Sequence, residues 1–273
     1  MTHITQWFRT RAVLGLVAGS AVVTGACGVS TQQELEMGAQ YAAEINRQLP
    51  ILNDAAVNNY INSLGRSIAQ RGGRQIGYRF YVVNAAEVNA FAVPGGHVYL
   101  NRGLIERTRT MGELAGVLAH EIAHVELRHG VEQMERAQGA NLAVNAAYIL
   151  LGRAPSGVES AAINIGGTAW FASHSREAEN ESDAMGVELL VASGINPGGI
   201  PSFFQVLINE QQRTPSTVEQ WFSTHPLSQD RVTATQAMVN RYTAAQLRSL
   251  RTEDNGYASM KARLRQLPAA PRR

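Results

Sequence analysis

The chain has 273 residues, of which 45% are hydrophobic and 17% charged, and its formal net charge is +2. This length suits one large domain or two small ones, and the composition is that of a globular protein rather than a disordered one. The near-neutral charge argues against a nucleic-acid-binding protein, so no nucleic-acid partner is expected.

The first 26 residues are typical of an export signal. Arg9 and Arg11 give a basic start, and residues 12–26 form an uncharged run that is too short to span a bilayer comfortably. Small residues then precede Cys27, the one cysteine of the sequence, and resemble a bacterial lipobox. We therefore predict a signal peptide of the lipoprotein type over residues 1–26, with Cys27 lipidated. The alternative is ordinary cleavage near residue 26, which would leave Cys27 as a spare thiol.

Lipidation would supply both a membrane partner and a location. A lipid on Cys27 predicts a periplasmic protein anchored to a membrane, and Gly28 after the cysteine favours the outer membrane. The other two uncharged stretches, 137–152 and 161–175, are more typical of buried helices, because both are too short to span a bilayer.

Two helices are predicted at the start of the mature chain. A capping box at 30–34 begins a helix that continues over 35–49 and ends at Pro50. Asn53 or Asp54 can cap a second helix, whose apolar residues are spaced along one face.

A small sheet is expected next. Residues 78–83 predict a strand, and residues 88–93 and 97–100 flank a Pro-Gly-Gly turn that predicts a hairpin. Helices are then predicted near 110–129, 131–151, 158–173 and 175–193, after Pro197, and as a last pair within 228–260. This order predicts a single, mostly helical α+β domain over residues 27–262 and a flexible tail over 263–273.

The most informative motif is His120-Glu121-Ile122-Ala123-His124, which matches His-Glu-x-x-His. Residues four apart share one face of a helix, so both imidazoles can reach one zinc ion at about 2.0–2.1 Å. Glu121 lies about 60° from His124 around the helix, where it can act as a base without binding the metal. The alternative is a pair of ordinary helix histidines. His129 does not fall on the helix face shared by His120 and His124, and it is interpreted as structural or helix-terminal.

A catalytic zinc needs a third protein ligand. Glu179 and Asp183 lie four apart in the charged segment 173–186, so Glu179 can complete the site and Asp183 can accept the free ring N–H of a ligand histidine. Glu177 and Glu181 of the same segment point elsewhere. The alternative is a solvated acidic face.

Four segments together resemble a known family, the zinc metallopeptidases that include HtpX, the CAAX prenyl proteases and BepA. They are "NAFAVPGGHVYLNRGLIE" at 89–106, "LAGVLAHEIAHVELRH" at 114–129, "SREAENESDAMG" at 175–186 and "THPLSQDR" at 224–231. Within this family the chain looks most similar to single-domain periplasmic lipoprotein peptidases such as LoiP and YcaL. One departure is Ser182, where the family usually has Ala and where we expect little consequence.

The resemblance implies a zincin-type metallopeptidase domain that holds one zinc ion per chain. It carries the zinc-ligand role to His120, His124 and Glu179, and the role of catalytic base to Glu121. It places Asp183 beside them as a supporting residue, sometimes described as a proton donor. The substrates it implies are misfolded or misassembled envelope proteins.

Two other features have open interpretations. His225, expected in a loop before Pro226, can donate to the oxyanion, cover the metal, or be purely structural. Residues 89–93 can form an edge strand that pairs with an extended peptide, or a hairpin that packs in the core.

The sequence therefore predicts a zinc-dependent endopeptidase of the bacterial periplasm, anchored to a membrane by its lipid. The alternative from another class is a chaperone or assembly factor for outer-membrane proteins, with a structural or latent zinc site. Glu121 favours the enzyme, because a structural zinc site has no use for a base and usually closes with a fourth ligand.

Overall fold

The computed structural model of the chain describes residues 28–137 and 174–271. The predicted signal peptide, Cys27 and helix 158–173 lie outside these residues, as do nearly all of the two uncharged stretches. Of the helix predicted over 131–151, residues 131–137 are described and are helical. In the described part of the chain, no helix is long and apolar enough to cross a membrane.

The two N-terminal helices form where the sequence predicts them. Helix α1 spans Thr31–Gln48, and its capping box is closed by Gln33, whose side chain accepts from the Ser30 backbone N–H at 2.9 Å. Helix α2 spans Ala55–Ala69 and begins at Asp54, whose carboxylate accepts from a backbone N–H in the first turn. Asp54 is therefore the cap.

The sheet has three strands, β1 at Arg79–Val83, β2 at Ala90–Val93 and β3 at His97–Asn101. Strands β2 and β3 form the predicted hairpin, in which the turn glycines Gly95 and Gly96 have φ of 76° and 85°. The strand order is β1-β3-β2, and β1 runs parallel to β3. Strand β2 is thus at the edge, and among the described residues no strand pairs with its outer side.

Helix α3 spans Arg102–Arg107, and α4 follows it at Met111–Glu126. Thr110 caps α4 by accepting from the Glu113 N–H at 3.1 Å. All sixteen residues of α4 are buried, because neighbouring helices cover it and its apolar side chains pack on every side. Helix α4 is therefore the centre of the core.

The C-terminal half is helical, as predicted. Its helices are α5 at Arg176–Ala192, α6 at Gly199–Arg213, α7 at Pro215–Thr224, α8 at Gln229–Val239, α9 at Ala244–Ser249 and α10 at Asn255–Gln266. Helix α5 ends just before Gly194, whose φ of 71° suits a helix end. Helix α7 was not predicted. The mostly helical α+β fold with a small sheet is confirmed.

The predicted boundary at residue 262 falls inside a helix. Helix α10 continues to Gln266, and Leu264 is 1% exposed. The buried guanidinium of Arg102 donates to the backbone oxygen of Leu264 at 2.9 Å, and the Ala86 N–H donates to the Pro271 carbonyl at 3.3 Å. Contacts at Leu264 and Pro271 therefore join the described part of this segment to the domain.

Candidate metal centre

Three helices bring four ligand-type side chains to one point. Helix α4 supplies His120 and His124, α5 supplies Glu179, and the end of α7 supplies His225. One nitrogen or oxygen from each of the four lies within 4.8 Å of all the others, and all four residues are buried. We call this group the four-residue cluster.

The closest contacts join ring nitrogens and a carboxylate oxygen. His120 Nε2 lies 3.1 Å from His124 Nε2, and His225 Nδ1 lies 3.0 Å from Glu179 Oε1. On its other side, His120 Nδ1 lies 3.0 Å from Asp183 Oδ1, which places an acceptor within reach of a proton on Nδ1 while Nε2 faces the cluster. Imidazole lone pairs and a carboxylate that converge in a buried space fit a divalent cation such as zinc.

Glu121 is buried beside the cluster but is not part of it. Its Oε1 has no hydrogen-bond partner among the described residues and lies 3.5 Å from His225 Nε2. Burial raises the pKa of this carboxyl, although the nearby His225 and His120 act in the opposite direction. A carboxyl of raised pKa that faces a metal site can accept and return a proton near neutral pH.

Arg231 is a component of the site for which no role was predicted, although it lies in the 224–231 segment. The guanidinium is buried and donates to Glu179 Oε2 at 2.6 Å and to both oxygens of Asp183 at 2.9 and 2.8 Å. It therefore leaves Glu179 Oε1 to face the cluster. Two buried carboxylates on one face of α5 require a cation, and this requirement was the signal that could have identified it.

These contacts determine the charge of the site. Burial alone would raise the pKa of Glu179, but His225, His120 and His124 hold it well below its usual range. Burial also lowers the pKa of His124 well below its usual range. For His120, burial lowers the pKa, but the nearby Asp183 and Glu179 outweigh it and raise the pKa to about 10, so a metal ion bound at Nε2 would displace the proton there. Glu179 thus stays ionised and favours positive charge beside it.

His174 is a second residue that sequence reasoning missed. It lies just before α5, and its ring stacks on that of His124 with centroids 4.1 Å apart. Its backbone N–H donates to the Thr224 carbonyl at 3.1 Å, which ties this segment to the end of α7. Burial lowers the pKa of His174 to about 3, so the ring is neutral. Nothing in the local spacing of the sequence indicates this contact.

His225 and Glu181 make contacts that the sequence did not predict. His225 lies in the loop before Pro226, as predicted, but it follows directly on α7 and is 1% exposed, with the Trp221 ring centroid 4.8 Å away. Glu181 is outside the four-residue cluster and 63% exposed, but its carboxylate accepts from His129 Nε2 at 3.1 Å. Residues 127 and 128 form a turn that returns His129 towards α5.

A cavity of about 380 Å³ opens beside the cluster. Glu121, His124, His174 and His225 line its polar side. Its other walls come from α1, β2 and the end of α4, and they include Ile45, Leu49, Phe91, Val93, Val125 and Val131. The cavity therefore joins the candidate metal centre to the edge strand across a mostly apolar surface.

A buried His-Glu-x-x-His helix, a glutamate from a second helix and a cavity bordered by an edge strand define a metalloprotease. The chain belongs to peptidase family M48, whose sequence model matches residues 53–239. The family resemblance carried by the four sequence segments is therefore confirmed. Helix α1, which forms one wall of the cavity, precedes the matched residues.

Several bacterial proteases are similar to the chain. It is 32% identical over 226 residues to the beta-barrel assembly-enhancing protease of Escherichia coli (strain K12), a match that covers 80% of the chain and 45% of that protein. It is 29% identical over 222 residues to metalloprotease LoiP and 30% identical over 199 residues to metalloprotease YcaL of the same organism. These matches cover 80% of the chain and 84% of LoiP, and 72% of the chain and 72% of YcaL. The chain spans about half the length of the beta-barrel assembly-enhancing proteases.

Proposed function

We propose that the protein is a zinc-dependent endopeptidase of the bacterial periplasm that degrades misfolded or misassembled envelope proteins. The observation that carries the proposal is the unpaired, buried carboxylate oxygen of Glu121 beside the four-residue cluster. A site with only a structural role would have no use for this costly group. The names and lengths of LoiP and YcaL support an enzyme of this size.

The residues of the site divide the chemistry among them. His120, His124 and Glu179 would hold the zinc ion, which when bound polarises the scissile carbonyl and lowers the pKa of a water molecule. Glu121 takes the proton of the attacking water and returns it to the leaving amine. Asp183 lies 3.0 Å from His120 Nδ1, where it can accept the ring proton, and Arg231 keeps the carboxylates of Asp183 and Glu179 in place. In this arrangement Asp183 supports a ligand and does not contact the substrate.

Strand β2 supports binding of an extended peptide. Its outer side borders the cavity, where backbone N–H and C=O groups can pair with a substrate strand. Apolar walls beside that edge can accept an apolar side chain of the substrate. Unfolded membrane proteins supply an extended backbone that is free to pair and apolar side chains, whereas the strands of a folded barrel are already paired with one another.

A test of the substrate class compares an unfolded outer-membrane barrel protein with its folded form. Purified protein should cleave the unfolded form and leave the folded form intact.

One observation favours the alternative, a chaperone or assembly factor. His225 lies within the cluster, and four protein ligands would close a zinc site. Unfolded barrel protein that is kept soluble but never cut would support that alternative.

We expect His225→Ala to raise the cleavage of unfolded casein severalfold while zinc is retained. Removing one of four ligand-type residues opens a position for water and substrate. Kinetics with measured zinc content test this, with His97→Ala as a control for a buried histidine away from the cluster. A fall of roughly 10²–10³-fold would instead assign His225 to oxyanion support.

The proposed location rests on Cys27, and Cys27→Ser should release the protein from the membrane into the soluble periplasmic fraction. No described helix offers another means of spanning the bilayer. Fractionation of cells that express each form tests this, and separation of inner and outer membranes tests the outer-membrane assignment. Three positions before Cys27, where a lipobox usually has Leu, the chain has Thr24. Thr24→Leu is therefore the matched control and should stay with the membrane. Unchanged membrane association of Cys27→Ser would contradict the lipid anchor.

A further inference from the structure

His129 lies directly behind the candidate ligand His124. Its Nδ1 is 3.0 Å from His124 Nδ1, and its Nε2 is 3.1 Å from Glu181 Oε2. The side chain of His129 is 4% exposed, whereas that of Glu181 is 63% exposed. A chain of three side chains therefore leads from the cluster to the protein surface.

The hydrogen-bond directions among these three side chains can be assigned by starting from the carboxylate of Glu181. An ionised carboxylate only accepts, so Glu181 requires a proton on His129 Nε2. A neutral His129 ring then has its lone pair on Nδ1, and His124 Nδ1 must carry the proton that is shared between the two rings. His124 Nε2 is left as a lone pair, and this atom lies 3.3 Å from Glu179 Oε1 in the cluster.

We infer that His129 is a positioning residue, which with Glu181 fixes the tautomer and ring orientation of His124 for metal binding. The inference rests on the proposed zinc centre. Asp183 supports His120 from one side of the cluster, and the pair of His129 and Glu181 supports His124 from the other. Each ligand histidine thus has another side chain within about 3 Å of its Nδ1.

Ser182 also contacts His129. Its hydroxyl lies 3.2 Å from His129 Nδ1 and is buried on α5, where the resembling family usually has Ala. The expectation that this departure has little consequence overlooked its contact. Because His129 Nδ1 is an acceptor here, the Ser182 hydroxyl is a second donor to it and competes with His124.

The test is the zinc dissociation constant of the purified protein, measured by competition with a chromophoric chelator. Glu181→Leu should weaken zinc binding by about tenfold or more, within the range of about 10–100-fold seen when such supporting partners are removed. Glu188→Leu is the matched control, since it removes an exposed carboxylate on the same face of α5 and should bind zinc like the wild type. Equal weakening by both variants would mean that any loss of negative charge on this face of α5 weakens zinc binding, and it would overturn the inference.

Substitution of His129 itself separates positioning from packing. His129→Leu should weaken zinc binding by about 10–100-fold, whereas His129→Asn should retain most of the affinity, because its Oδ1 replaces the Nδ1 acceptor. Thermal unfolding of the chelator-stripped variants checks that each is folded. Wild-type affinity in His129→Leu, or equal loss in both variants, would overturn the positioning role. A wild-type protein that binds no zinc would instead refute the proposed centre.

Discussion

Replacing Glu121 with glutamine is expected to reduce peptide cleavage by roughly 10²–10⁴-fold, the contribution of a general base. Glutamine has nearly the same shape as glutamate, but its amide cannot take a proton from the attacking water. Glu121 is not one of the four residues of the cluster, so the variant should keep its zinc and its fold.

The matched control is Glu113→Gln, which changes another buried glutamate of α4. Glu113 is paired with Arg109 at the far end of the helix and has no contact with the cluster. We expect it to keep cleavage, with at most a loss of stability. Steady-state kinetics and metal analysis of both variants are the measurements. If Glu121→Gln cleaves casein at the wild-type rate, the proposed mechanism is wrong.

Glu179→Ala is expected to lose most of the bound zinc, because it removes the one carboxylate of the cluster. It also removes one of the two buried carboxylates that pair with the Arg231 guanidinium, so part of the effect will be a loss of stability. Glu179→Gln reduces this second effect, since its amide oxygen can still accept from Arg231.

Metal analysis after gel filtration should therefore show low zinc in both Glu179 variants and about one zinc ion per chain in the wild type. Circular dichroism should show that Glu179→Gln remains folded. Full zinc retention in both folded variants would remove Glu179 from the ligand set.

The parts of the site that sequence predicts are those fixed by local geometry. His120 and His124 share a face because they lie four apart on a helix, and the same spacing joins Glu179 to Asp183. The caps at Ser30 and Asp54 are likewise local. The hairpin of β2 and β3 follows from its turn residues.

The parts that sequence did not predict depend on long-range packing. The parallel pairing of β1 with β3 requires the chain to cross over, and no local pattern encodes that partner. Arg231 and His174 reach the cluster only because α7 and α8 fold back onto α5. His129 lacks the phase of a ligand histidine, and its role depends on the turn that follows α4.

The central claim is that the four-residue cluster holds a zinc ion on which peptide cleavage by this protein depends. Its most direct test is the cleavage of unfolded casein by the purified protein before chelation, after chelation and after zinc is returned. Cleavage should stop when metal analysis shows that the zinc has been removed, and it should recover with about one equivalent of zinc. Cleavage that continues at the original rate in demonstrably metal-free protein would contradict the claim.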